Sequence, residues 1–421
     1  MSTVRWVSPP RPADVDYDEA RVPPFELPDV LVASDGTRIA SAEAWRARRR
    51  PELLELFSRE VYGRTPPPVP VRVAVASVDE QACFGLVTRR ELDVTVGEGD
   101  GSAVLRVLVF VPRGARGPVP AFLGINLLGN HTVHPDPKIR LATGWVPQSP
   151  ETGIPDHEPT EASRGMHARR WPVELLAAAG YALVTVYAGD IDPDHPYARE
   201  RGVRYALRDA LDLDAGDAWG AISAWAYGLS RVLDALEQLP EIDAARVAVI
   251  GHSRFGKAAL WAAARDERFA LAVASGSGCA GAKLSRRRFG ERVAHITTRF
   301  PHWFCKNFHA YADREDALPF DQHALLALLA PRPVYIASAE QDLWADPKGE
   351  LLACLAASPV YALFGRSGID VSPEAIRLNV SYGDHIGYHR RPGGHDILAA
   401  DFWHVLAFAR RHAIQESGAS H

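Results

Sequence analysis

The stretch Val247-Ala-Val-Ile-Gly-His-Ser-Arg-Phe-Gly-Lys-Ala258 decides how the rest of the chain is read. Four apolar residues run into Gly251, a serine follows two positions later, and residues 254–266 (RFGKAALWAAARD) continue at helical spacing. A strand that turns sharply into a helix lifts the Ser253 hydroxyl above the sheet edge. The helix N-terminus beneath it supplies backbone N–H groups and positive potential for a developing oxyanion. The pattern departs from the usual G-x-S-x-G, because Phe255 stands at the last glycine and Gly256 comes one residue late. Two other readings compete. Gly251, four residues, Gly256 and Lys257 make most of a phosphate-binding loop, but Ala258 stands where that motif needs a magnesium-binding Ser or Thr. The segment also lies past the midpoint of the chain, whereas such loops tend to open a domain. The other alternative is an ordinary strand–helix turn with an idle serine.

Outward from this segment the chain alternates strand and helix. VPAFLGI (119–125), ALVTVY (182–187), RVAVIG (246–251), FALAVAS (269–275), PVYIAS (333–338) and RLNVSY (377–382) read as strands. WPVELLAAAG (171–180), closed by Gly180, the amphipathic run 218–239, residues 254–266 and a last segment from near Asp396 read as helices. This rhythm implies βαβ units and a mostly parallel sheet. Ahead of it, residues 71–77, 84–96 and 103–112 alternate apolar and polar, as a meander with one solvated face would. Residues 41–60 have helical spacing of Trp45, Leu53, Leu54, Leu56 and Phe57. No repeat or low-complexity linker interrupts the chain, so one domain is expected over residues 1–421, with an N-terminal extension of about 65 residues packed on it. The long connections 127–170 and 283–330 are expected to wall a cleft.

A nucleophilic serine makes a demand on the downstream sequence. In an α/β-hydrolase fold the partners follow in the order Ser, acid, His, each after a later strand. Glu340, Gln341 and Asp342 follow PVYIAS, and His385, His389 and His395 lie in the 381–396 stretch. His395, after Pro392-Gly-Gly394 and just before the last helix, is placed to be the general base. Asp342 is expected to orient it, with Glu340 and Asp346 as fallback acids. His385 and His389 read as structural or cleft-lining; a site using all three histidines matches no familiar zinc spacing. Asp190-Ile-Asp-Pro-Asp194 resembles a calcium loop but lacks its glycine and distal glutamate, so a turn of solvated acids is expected.

Composition bounds the remaining choices. The 421 residues include 47 Lys and Arg against 52 Asp and Glu, a net charge of −5, with 47% hydrophobic and 24% charged residues. That is a globular composition with a core of ordinary size. It gives no reason to expect nucleic acid. The basic clusters, Arg46 with Arg48 to Arg50 and Arg286 to Arg288, read as solvated faces, and no apolar run is long enough to span a bilayer. Cys83, Cys279, Cys305 and Cys354 form no C-x-x-C pair and read as free thiols, a Cys279–Cys305 bridge being the one pairing left open. The N-terminus (MSTVRWVSPPRPADVD) lacks the charged and apolar regions of a secretory leader. The chain as encoded is therefore expected in the cytoplasm, or outside it if a leader is missing from this sequence. A monomer or weak oligomer is expected, needing no cofactor.

The segment Gly251-His-Ser-Arg-Phe-Gly-Lys257 resembles the G-x-S-R-x-G-K signature of the glucuronoyl esterases, carbohydrate esterase family 15, and the late glycine is normal there. The resemblance extends to residues 49–67 (RRPELLELFSREVYGRTPP), 122–132 (FLGINLLGNHT), 224–231 (AWAYGLSR), 300–305 (FPHWFC), 339–347 (AEQDLWADP) and 393–396 (GGHD). It implies an α/β-hydrolase fold, a three-layer sandwich with cleft-forming insertions. It also implies hydrolysis of esters of (4-O-methyl)-glucuronic acid, as in lignin–glucuronoxylan linkages, through an acyl-enzyme. By the same resemblance Ser253 attacks, His395 shuttles the proton, Arg254 serves the oxyanion, and Lys257, Glu291 and Trp344 bind the sugar. The plainer alternatives are a surface lysine, a surface acid and a core aromatic. Some members carry the acid soon after the serine, but residues 268–290 hold no carboxylate, which favours Asp342. Some have a disulfide-bonded cysteine before the serine; here His252 stands there and is expected under the elbow. A carbohydrate deacetylase or small-ester hydrolase with the same triad, and a catalytically idle carbohydrate-binding relative, are the alternative functions.

Overall fold

The computed structural model describes residues 9–148, 153–198 and 201–412. The first eight residues of the proline-rich extension, on which part of the leader reading rests, lie outside them. Among the described residues ten strands form one sheet: β1 (Val71–Gln81), β2 (Val87–Val96), β3 (Ala103–Pro112), β4 (Val119–Asn126), β5 (Ala182–Tyr187), β6 (Ile242–His252), β7 (Leu271–Ser275), β8 (Val334–Ala339), β9 (Ser381–Tyr382) and β10 (Ile386–Arg391). Their order is β1-β2-β3-β5-β4-β6-β7-β8-β10-β9. The six neighbouring strands β5, β4, β6, β7, β8 and β10 run parallel, with the antiparallel β1–β3 meander on one side and the two-residue β9 on the other.

The apolar runs of the parallel strands are continuous because both sheet faces are covered. Along β6, Val247 and Val249 enter one core while Ala248 and Ile250 enter the other. Helices Ala221–Leu236, Arg254–Arg265, Gln322–Ala327 and Pro347–Leu363 cover the first face, and Val173–Ala178 and Ala399–His412 the second. This is the three-layer α/β-hydrolase architecture. The N-terminal helical stretch joins the first core through Trp45, Leu53, Phe57 and Tyr62, and Tyr62 stacks on Trp261 with centroids 4.7 Å apart. No helix among the described residues is long and apolar enough to cross a membrane.

Register decides where the chemistry can be. His252 at the end of β6 pairs with Ser275 of β7, Ser275 with Ala337 of β8, and Ala339 of β8 with Arg391 of β10. The loops after β6, β8 and β10 therefore leave the same end of the sheet, with β7 between the first two, carrying Ser253, Asp342 and His395 respectively.

Three expectations are corrected. Of RLNVSY, only Ser381 and Tyr382 form a strand; the strand beside β8 is β10, inside what reads as a loop. Its Gly387 marks no turn: a Cβ there would strike the rings of Tyr335 and Phe408. The basic clusters are not uniformly solvated. Arg46 and Arg48 are exposed, but Arg49 is buried against the Val30 carbonyl and Glu52. Arg286 donates to the Phe320 carbonyl and Arg287 to Asp346, both from buried positions. Asp190, Asp192 and Asp194 are likewise buried, paired with Arg106, Arg204 and Arg254. Arg106 and Arg254 come from distant segments and Arg204 from 12 residues on, so no short-range spacing reports the burial. Cys279 and Cys305 are buried, unbridged thiols.

Candidate active site

Ser253 has φ 58° and ψ −125°, a conformation that costs a non-glycine residue about 1–3 kcal/mol and persists only where its surroundings enforce it. The Ser253 N–H donates to the Ser275 carbonyl at 2.8 Å, fastening the turn to the next strand. A Cβ at residue 251 would overlap the Phe255 carbonyl, and one at 256 would lie 3.0 Å from Ser277 Cβ and 3.2 Å from the Gly251 carbonyl. The turn therefore needs its small residues at 251 and 256. Position 255 is free to carry a phenylalanine, which packs edge-on against Trp225.

The three predicted residues meet in one hydrogen-bonded chain. His395 Nδ1 is 2.6 Å from Asp342 Oδ2, and His395 Nε2 is 2.8 Å from Ser253 Oγ. A carboxylate only accepts, so Nδ1 donates and Nε2 is left to take the serine proton. The two loops are tied together: the Glu340 N–H donates to Arg391 O at 2.8 Å and the Gln341 N–H to Gly393 O at 3.0 Å. Gly276 leaves space for the pair, since a Cβ there would lie 3.1 Å from Asp342 Oδ2 and 3.5 Å from His395 Nδ1. Of the fallback acids, Glu340 is exposed, and Asp346 is buried, holding Arg287 and capping the Pro347–Leu363 helix. The three histidines do not converge. His389 is buried between Tyr335 and Asp401, and His385 pairs with Asp384. His252 lies beside His395, not under the elbow, with ring centroids 4.5 Å apart. Burial and the neighbouring His395 hold its imidazole pKa well below the ordinary value, and its Nδ1 lies 3.1 Å from the Ser275 carbonyl.

Arg254 begins the helix beneath the serine. Its guanidinium ion-pairs with Asp194 and lies 4.6 Å from the Trp303 ring centroid and 5.2 Å from that of Phe300. Asp194 also accepts from Trp303 Nε1 at 2.7 Å and lies 2.9 Å from His302 Nε2. Burial alone would raise this carboxyl's pKa; Arg254, His302 and Trp303 outweigh it and hold the group well below the usual range. Sequence reasoning missed Asp194, although an arginine held near a reaction centre calls for a fixed counter-charge.

Ser253 and His395 stand between two differently lined spaces. A cleft of about 150 Å³ is bounded by Arg11, Arg254, Lys257, Glu291, Arg299 and Trp344. Lys257, Glu291 and Trp344 thus line one cleft, none of them a surface residue. Lys257 Nζ donates to the Ser277 carbonyl, and Arg299 lies 3.7 Å from Glu291. Burial pushes the Lys257 pKa down and the Glu291 pKa up, each shift being opposed by the charge of the other. On the other side, a more apolar pocket of about 170 Å³ is lined by Ile125, Trp171, Ile250, Phe255, Ile397 and Phe402. The long connections wall both spaces: His167 and Arg170 come from the first, and Glu291, Arg299 and Trp303 from the second.

Glu350 is a second residue the sequence did not flag. Fully buried, it accepts from Ser338 Oγ at 2.6 Å, Gly278 N at 3.0 Å and Ser277 Oγ at 3.1 Å, anchoring the turn that touches Lys257. Burial raises its carboxyl to about 7.

Comparison with known proteins places the chain in a family. A family model described as glucuronyl esterase of fungi matches residues 171–365. The carbohydrate esterase MZ0003 of an unknown prokaryotic organism is 44% identical over 418 residues, 98% of this chain and 96% of that protein. A solved structure described as a promiscuous CE15 esterase from the marine bacterial metagenome is 45% identical, with a TM-score of 0.88 over 94% of this chain and 100% of its own. The chain belongs to carbohydrate esterase family 15. Within that family of carboxylic ester hydrolases, the glucuronoyl esterase from Solibacter usitatus is 42% identical, with a TM-score of 0.87 over 94% of this chain and 99% of its own.

Proposed function

We propose that the chain hydrolyses esters of glucuronic acid, with or without a 4-O-methyl group, through an acyl-enzyme on Ser253. The observation that carries this reading is the Ser253–His395–Asp342 chain opening onto a cleft lined by Lys257, Glu291 and Trp344. Ser253 Oγ attacks the ester carbonyl as its proton passes to His395 Nε2, and Asp342 stabilises the resulting imidazolium. The Arg254 guanidinium and the backbone N–H groups opening its helix receive the oxyanion. His395 returns the proton to the departing alcohol, then deprotonates the water that frees the acid from Ser253. The uronate ring occupies the polar cleft. Lys257 and Glu291 there bind its hydroxyls, and Trp344 offers an apolar face. A lignin alcohol of a glucuronoxylan ester would be the leaving group in plant material.

A broader acyl range is the second reading, favoured by the 45%-identical relative that is described as promiscuous. Hydrolysis of benzyl glucuronate beside an acetylated xylo-oligosaccharide, with Ser253→Ala as the blank, separates the two. Serine-dependent cleavage of the glucuronate ester is expected. Cleavage of the acetate alone would keep the serine mechanism and remove Lys257, Glu291 and Trp344 as uronate ligands. No labelling by a serine-directed phosphonate would mark an idle relative.

A further inference from the structure

We propose that Asp384, His385 and His412 form a zinc site at the edge of the sheet opposite the active site, clamping the last helix to the turn between β9 and β10. Asp384 and His385 precede β10, at the end of the parallel strands remote from Ser253. Their backbone is fixed independently: the Asp384 N–H donates to Gly368 O at 3.0 Å and the His385 N–H to Ser367 O at 2.9 Å. His412 arrives from the last turn of the Ala399–His412 helix, packed on Phe408 at 4.6 Å and on the His385 ring at 4.5 Å between centroids.

The geometry suits a cation better than it suits the side chains alone. The two oxygens of one carboxylate face the two rings, with His385 Nδ1 3.0 Å from Oδ2 and His412 Nε2 3.2 Å from Oδ1. Ligand atoms at 2.0–2.1 Å from a tetrahedral zinc are about 3.3 Å apart. One ligand atom from each of the three residues can be chosen with all of them within 4.8 Å of one another. The His412 side chain is only 6% exposed, and its Nε2 lies near Asp384 without an aligned hydrogen bond. That is an expensive place to leave a polar nitrogen. Two imidazoles and a carboxylate are a donor set for a first-row divalent ion, and three protein ligands leave one position for water. The adjacent positive charge, Arg411, has its guanidinium 5.5 Å from the Phe408 ring centroid. The other described cluster of this kind, Cys83, His134 and Glu174, is less suited: His134 Nδ1 accepts the Asp136 N–H, which leaves the proton on the Nε2 that would have to bind the ion.

The test is a zinc titration of the chelator-stripped full chain by calorimetry, with cobalt absorption as a second probe. One equivalent is expected, Tm rising by roughly 3 °C at zinc about 100 times Kd. His412→Ala and the gentler Asp384→Asn should each weaken binding at least about tenfold, while His404→Ala leaves it unchanged. Circular dichroism separates lost binding from lost folding, and Asp384→Asn decides if His412→Ala does not fold. Absence of binding up to millimolar zinc would overturn the proposal. So would binding that survives both variants, or that disappears only with Cys83→Ser.

Discussion

Ser253, Asp342 and His395 follow one another at intervals of 89 and 53 residues of chain and meet within single hydrogen bonds. Ser253 and Asp342 were legible because each follows an apolar strand of a parallel sheet, and such strands present their C-terminal ends at one edge; His395 was legible from Pro392-Gly-Gly394 and the helix after it, since the strand it follows, β10, carries no apolar run. Asp194 was not legible: its burial depends on Arg254, His302 and Trp303, which only the folded chain brings to it. Two predictions belong at this scale. Asp342→Asn, which removes the acceptor that fixes the His395 tautomer, should lower kcat by about 10³–10⁴-fold. A kcat within tenfold of wild type would point to another acid. Asp194→Asn should leave Arg254 without its anchor and lower kcat by about 10–100-fold, with KM within about twofold. A rise in KM at constant kcat would instead place Arg254 in ground-state binding.

At the scale of the element, the elbow is set by two close approaches. Gly251→Ala forces a Cβ into the Phe255 carbonyl and should cost at least about 3 kcal/mol in urea unfolding. Gly256→Ala meets the side chain of Ser277 and should cost about 1–2 kcal/mol. Equal effects would mean that the turn relaxes at both glycines. The same kind of contact explains the misread strand. Gly383 has φ 84° and belongs to a turn, whereas Gly387 lies in β10 under Tyr335 and Phe408. A lone sequence does not distinguish a glycine required by backbone conformation from one required by packing.

Across the whole molecule, the strand–helix rhythm and the continuous apolar runs made the layered fold readable in advance. Buried charge was not readable in the same way. Arg286, Arg287, Asp192 and Glu350 look like surface residues until partners from other layers surround them. Glu350 makes a prediction at this scale. Its folded carboxyl titrates at about 7, whereas an unfolded glutamate titrates near 4.3. Between these values the folded chain holds a proton that the unfolded chain has released. This group's contribution to stability is thus fully present below the unfolded value and is lost as pH rises through about 7. Urea unfolding at pH 5 and pH 7.5 should show wild type losing stability relative to Glu350→Gln, and a loss in the opposite direction would contradict the assignment.

The central claim is that an ester of glucuronic acid is opened by Ser253 through a covalent intermediate. Rapid acid quench during turnover of benzyl glucuronate, followed by peptide mass spectrometry, tests it most directly. The account predicts a glucuronoyl adduct on the peptide bearing Ser253, absent in Ser253→Ala, which also makes no product. Product formation without that adduct, or an adduct on another residue, would contradict it.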